Sequence, residues 1–84
     1  MMNKDIFVKL LQERRYKSVK DVLDVMNAVD IASLLGEFDD KELALAFSLI
    51  PKDKATDVFA NMERYLQSVL VAALSEKELK EILN

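Results

Sequence analysis

An apolar pattern that recurs every 24 residues limits what this chain can fold into more than any other feature. In the stretch DIASLLGEFDDKELALAFSLI, residues 30–50, Ile31, Leu34, Leu35 and Phe38 stand at i, i+3, i+4 and i+7. That is the spacing of a helix with one buried face. A step of 24 residues gives Ala55, Val58, Phe59 and Met62, and another gives Leu79, Ile82 and Leu83. A step back gives Phe7, Leu10 and Leu11, with Arg14 where Phe38 stands. A second stripe, Leu43, Ala46, Phe47, Leu49 and Ile50, has counterparts at Val19, Val22, Leu23, Val25 and Met26. It returns at Leu70, Val71, Ala73 and Leu74, with Gln67 as the polar intruder. The register runs through the chain without a gap. The sequence encodes a copied helix pair.

Helix boundaries follow from cap chemistry. The first helix is expected over residues 4–14, with Asn3 as its cap. The turn Arg14-Arg15-Tyr16-Lys17 breaks it, and Ser18 offers a hydroxyl to start a second helix over 19–26. Asn27 caps a third over 28–37, with Asp30 in the positive first turn. Asp39 and Glu42 form a capping box that opens the fourth at Asp40. Pro51, the one proline, suits the first position of a fifth helix over 51–61, where its missing N–H costs nothing. A sixth is expected over 63–74. Ser75 with Glu78 reads as the box of a seventh over 76–83. Asn27, Pro51 and Ser75 share one repeat position, so two independent signals agree. Gly36 falls inside the expected third helix, where a close neighbouring helix would account for it.

Helices of about ten residues, roughly 15 Å long, do not persist alone in water. Each pair must bury its stripe on the next, as in solenoid repeats. The expectation is an all-α superhelix of about seven short helices, a single domain over residues 1–84. A chain of 84 residues buries only about 60% of its unfolded surface. Its hydrophobic fraction of 51% still suffices for a continuous core.

The residue inventory removes most chemistry. Histidine and cysteine are absent, and with them the commonest general base, thiol nucleophile and zinc ligands. The serines have no activating base, and one glycine allows no phosphate-cradling loop. No EF-hand spacing occurs. An enzyme is not expected. A net charge of −3 argues against a nucleic-acid partner, which needs clustered cations. The longest apolar run, Val69 to Leu74, is far short of the roughly 18 residues that span a bilayer, so no membrane insertion is expected.

Carboxylates remain as candidates. Glu37, Asp39, Asp40 and Glu42 crowd one interhelix corner, and Asp53 and Asp57 stand one turn apart on the fifth helix. Hard divalent cations take oxygen ligands, and magnesium often keeps its waters and uses only one or two carboxylates. Capping accounts for Asp39 and Glu42 without any metal, and a helix amino end accounts for Asp53. Arg14, Arg15 and Lys17 form a small basic patch that a solvated turn explains equally well. Tyr16, Tyr65 and Met62 read as packing residues.

Three stretches, LLQERRYKSVKDVLDVMNAVDIASLLGEF, LIPKDKATDVFANM and LVAALSEKELKEIL, resemble the amino-terminal cytosolic domain of MgtE-type magnesium transporters. Asp30-Ile31-Ala32-Ser33-Leu34-Leu35 is similar to that family's x-x-D-I-A-x-L-L helix. Leu49-Ile50-Pro51 through Ala55, Val58 and Phe59 is similar to its proline-started helix. The likeness runs from about Leu10 to Leu83. It implies a right-handed superhelix and a cytosolic regulatory domain that precedes a pair of CBS domains and a dimeric membrane pore. In that family magnesium ions bridge acidic faces of this domain and the CBS pair, which favours the closed pore. Asp57, with Asp53 beside it, matches the family's metal-binding acidic position, so Mg2+ is the implied ligand. Apolar residues on terminal helices leave room for a homodimer as well. Short leucine-rich helix pairs also occur in the flagellar motor switch protein FliG. A metal-independent protein-interaction module of that type is therefore the alternative.

Overall fold

Two caps identified in the sequence govern the middle of the molecule, and both form as expected. The computed structural model describes residues 4–83, with side chains as far as residue 74. Six helices follow in order: α1 (Lys4–Gln12), α2 (Tyr16–Val25), α3 (Ala28–Leu35), α4 (Asp40–Ser48), α5 (Lys52–Asn61) and α6 (Arg64–Leu83). No strand occurs among the described residues. Asn27 Oδ1 accepts the Asp30 N–H at 2.8 Å and opens α3. Asp39 Oδ1 accepts the Glu42 N–H at 2.7 Å, and the Glu42 carboxylate accepts the Asp39 N–H at 3.4 Å. This is the capping box of α4. Asn3, expected to cap α1, lies outside the described residues.

The first interhelix turn departs from expectation. Arg14 takes a left-handed conformation, φ 59°. The Arg15 N–H donates to the Leu10 carbonyl at 2.9 Å and the Arg14 N–H to the Leu11 carbonyl at 3.1 Å. Those two bonds are a Schellman closure of α1, with arginine at the position where glycine is usual. The closure ends α1 at Gln12 and restarts the chain so quickly that α2 begins at Tyr16. Ser18 therefore lies inside α2 and does not cap it; the cap position is Arg15, which makes no side-chain cap bond.

Smaller corrections have equally local causes. Pro51 stands just before α5, φ −55° and ψ 139°, one residue earlier than expected. Helix α3 stops at Leu35, and Gly36 is its C-cap with an ordinary φ of −64°. A Cβ built there meets the Ser33 carbonyl oxygen at 3.4 Å and Leu66 Cδ1 at 3.5 Å, both ordinary contacts, so crowding does not explain the glycine. The seventh expected helix is continuous with the sixth: α6 runs through residue 75 to Leu83. No glycine or proline occurs from 64 to 84, so a capping signal alone does not break the helix.

The stripes meet in one core. Phe7, Leu11, Val19, Leu23, Ile31, Leu34, Leu35, Phe38, Leu43, Ala46, Ile50, Val58, Met62 and Leu70 are all buried, as their spacing requires. Each such side chain stabilises by about 1.5–3 kcal/mol if large and fully covered. Phe7 stacks on Phe38 with ring centroids 5.4 Å apart, and Phe47 meets Phe59 edge-on at 6.3 Å. Helix α3 packs on α5 and α4 on α6, first member on first and second on second, which is the stacking of a helix-pair repeat. Helix α1 packs on α2 and reaches α4. The architecture is an all-α superhelix, as the period implies. Three stripe members are exposed exceptions among the described residues: Val25 at 84%, Val71 at 51% and Leu74 at 36%. Leu79, Ile82 and Leu83 belong to the residues whose side chains are not described.

Candidate functional site

One continuous stretch of the chain carries acidic groups alone. From residue 21 to residue 40 the chain carries Asp21, Asp24, Asp30, Glu37, Asp39 and Asp40, and no lysine or arginine. Glu37, Asp39 and Asp40 are exposed at the α3–α4 corner, while Glu42 is half-buried. Two of these carboxylates are already committed to the capping box, so the corner has less free charge than its sequence suggests.

On α5, Asp53 lies in the first turn and Asp57 one turn later, both exposed. At about 100° per residue they share one flank of the helix, well away from the buried Val58. The Asp57 carbonyl accepts from Asn61 Nδ2 at 2.8 Å, which leaves its carboxylate facing water. Neither carboxylate has a side-chain partner among the described residues. No group of three or more acidic side chains that could hold a metal by themselves occurs among the described residues. The structure thus brings Asp53 and Asp57 to one flank without joining the Glu37–Glu42 corner to them in a closed cage.

The basic patch is spread over the α1–α2 turn. Arg14, Arg15 and Lys17 are all exposed, and Arg15 Nε pairs with Glu13 at 3.2 Å. A pair this exposed contributes at most about 1 kcal/mol. Tyr65 is 71% exposed, whereas Met62 is buried and Tyr16 half-buried. Gln67 resolves its intrusion into an apolar stripe by donating Nε2 to the Phe59 carbonyl at 2.6 Å. An open groove of about 530 Å³ runs between α4 and α6, lined by Asp40, Lys41, Ala44, Val69, Ala72 and Ala73.

Sequence reasoning passed over Lys54. Half-buried, it donates through its ammonium to backbone carbonyls of Leu23, Asp24 and Met26 at the end of α2. The available signal was its place four residues before Val58, on the edge of the buried face.

These features define a class of protein: a stacked helix-pair module with acidic surfaces. Among its described residues no helix is long and apolar enough to cross a membrane. The sequence profile of the MgtE intracellular N domain family matches residues 26–84, more than two thirds of the chain. The chain belongs to that family. The match starts at Met26, the C-cap of α2, so α1 and all of α2 precede it, a later start than the likeness from Leu10 suggested. A search of curated proteins finds no match.

Proposed function

We propose that this chain is the cytosolic regulatory domain of a magnesium transporter. In this reading it is part of a longer protein, senses Mg2+ through the α5 flank, and gates the pore through an adjacent CBS pair. One observation carries the proposal: in a member of the MgtE intracellular N domain family, Asp53 and Asp57 stand one turn apart and exposed, with no side-chain partner among the described residues. Half a site is what such a sensor needs. Magnesium commonly takes one or two protein carboxylates and keeps its waters, so α5 can supply its share and a facing surface the rest. Without the ion, two apposed carboxylate surfaces repel; a divalent ion between them turns repulsion into attraction. The ion then shifts the balance between open and closed arrangements by its preference for the closed one. The proposed location is the cytosolic face of the plasma membrane, and the domain itself performs no catalysis.

The test is a Mg2+ titration of this chain joined to the CBS pair, with compaction followed by small-angle scattering. Wild type is expected to compact at lower magnesium than Asp57→Ala. Identical midpoints would remove Asp57 from the mechanism.

A second reading has its own observation. Val25, 84% exposed, and Val29, 57% exposed, flank the α2–α3 corner, the kind of surface a metal-independent interaction module offers a protein partner or a second copy. Partner binding that a chelator leaves unchanged would favour this module over the sensor.

A further inference from the structure

Helix α2 ends without any of the usual local caps. Its last turn holds no basic side chain and carries Asp24 instead, an anion at the negative end of the helix dipole. No left-handed glycine follows: Met26 and Asn27 are both extended and lead straight into α3. The carbonyls left open at such an end need donors. They receive them from a residue about 30 positions later, since Lys54 Nζ donates to the Leu23 carbonyl at 3.3 Å, to the Met26 carbonyl at 2.8 Å and to the Asp24 carbonyl. An ammonium has three donors and no acceptor, so this one is fully engaged.

The repeat does not ask for a cation here. One unit earlier the equivalent residue is Asp30, and one unit later it is Glu78. What selects a cation is the cradle itself. Its oxygens are backbone carbonyls, gathered at the negative pole of a helix, with no carboxylate oxygen among them. Carbonyl oxygens replacing a hydration shell suit a compact monovalent cation, whereas divalent ions are held mainly through carboxylates.

We propose that the carboxyl end of α2 is a site for compact monovalent cations of the ammonium and potassium class, which Lys54 fills as a tethered occupant. Occupancy ties α5 to the end of α2 through hydrogen bonds from a charged donor to neutral carbonyls. A free cation of the right size can therefore replace the missing ammonium when the side chain is cut back. The site is distinct from the α5 flank of Asp53 and Asp57 and does not depend on magnesium binding there.

The test is chemical rescue in the whole chain. Lys54→Ala is melted in methylammonium, potassium and tetramethylammonium chloride at one ionic strength, beside wild type and Lys54→Met. In tetramethylammonium, too bulky for the cradle, the alanine variant is expected to melt about 5 °C below wild type. Methylammonium is expected to recover at least half of that loss and potassium a smaller part. Wild type should not distinguish the three salts. Lys54→Met, whose uncharged stem still fills the approach, should fall and stay low in all of them. An alanine variant that melts with wild type, or that melts equally in methylammonium and tetramethylammonium, overturns the proposal. So does equal recovery of the methionine variant. Should Lys54→Ala be unfolded in tetramethylammonium, helical circular dichroism replaces the melt: methylammonium is expected to refold it, and failure in every salt overturns the site.

Discussion

The unit α1–α2 and the unit α3–α4 share one apolar spacing but are joined and finished by different means. In α3–α4 every boundary is local: Asn27 caps α3, and Asp39 with Glu42 caps α4. Phe38 sits in the linking turn, 7% exposed and stacked on Phe7. In α1–α2 the position aligned with Phe38 is Arg14, exposed and left-handed. Helix α2 has no side-chain cap at its start, and its end borrows Lys54 from α5. The family match covers the second unit in full and starts just after the last helix of the first. Apolar period decides that two helices pair; the polar residues at the joints decide how firmly each unit holds by itself.

Substitutions at aligned positions sharpen or break this contrast, and chemical denaturation of the chain reads them all. Phe38→Ala empties a buried, ring-stacked site and is expected to cost about 3–5 kcal/mol. Arg14→Ala, at the matching position, should stay within about 0.5 kcal/mol. Similar losses at both would show that the first turn is packed like the second. Asp39→Ala removes a formed cap and should cost about 1 kcal/mol. Ser18→Ala, at the expected but unformed cap, should again lie within about 0.5 kcal/mol. Arg14→Gly relieves a left-handed residue and should stabilise by about 1 kcal/mol. Last, Gly36→Ala should stabilise by roughly 0.4–1 kcal/mol, because its φ is ordinary and the added Cβ makes ordinary contacts. A loss at Gly36 would reveal crowding that the structure does not contain.

Residue by residue, the legible part was what depends on neighbours in sequence. Phe7, Ile31 and Val58 lie in the core because each stripe fixes its own buried face. The caps at Asn27 and Asp39 were legible because both partners lie within three residues. Tertiary competition hid the rest. Val25 belongs to the α2 stripe by spacing, yet it is the last residue of its helix and has no neighbour to bury it. Ser75 and Glu78 spell a helix start, but nothing in the preceding turn ends the helix already running. Lys54 looks like any solvated lysine until the end of α2 is placed beside it. For the candidate site, Asp53 and Asp57 were legible as a pair one turn apart on a helix.

Titrating Mg2+ into the isotope-labelled chain and following the backbone amides of α5 against those of α2 tests the central claim most directly. The account predicts saturable shifts centred on Asp53 and Asp57, abolished by Asp57→Asn, while the amides of residues 16–25 stay still. Uniform shifts across both helices, or a response unaffected by Asp57→Asn, would contradict it.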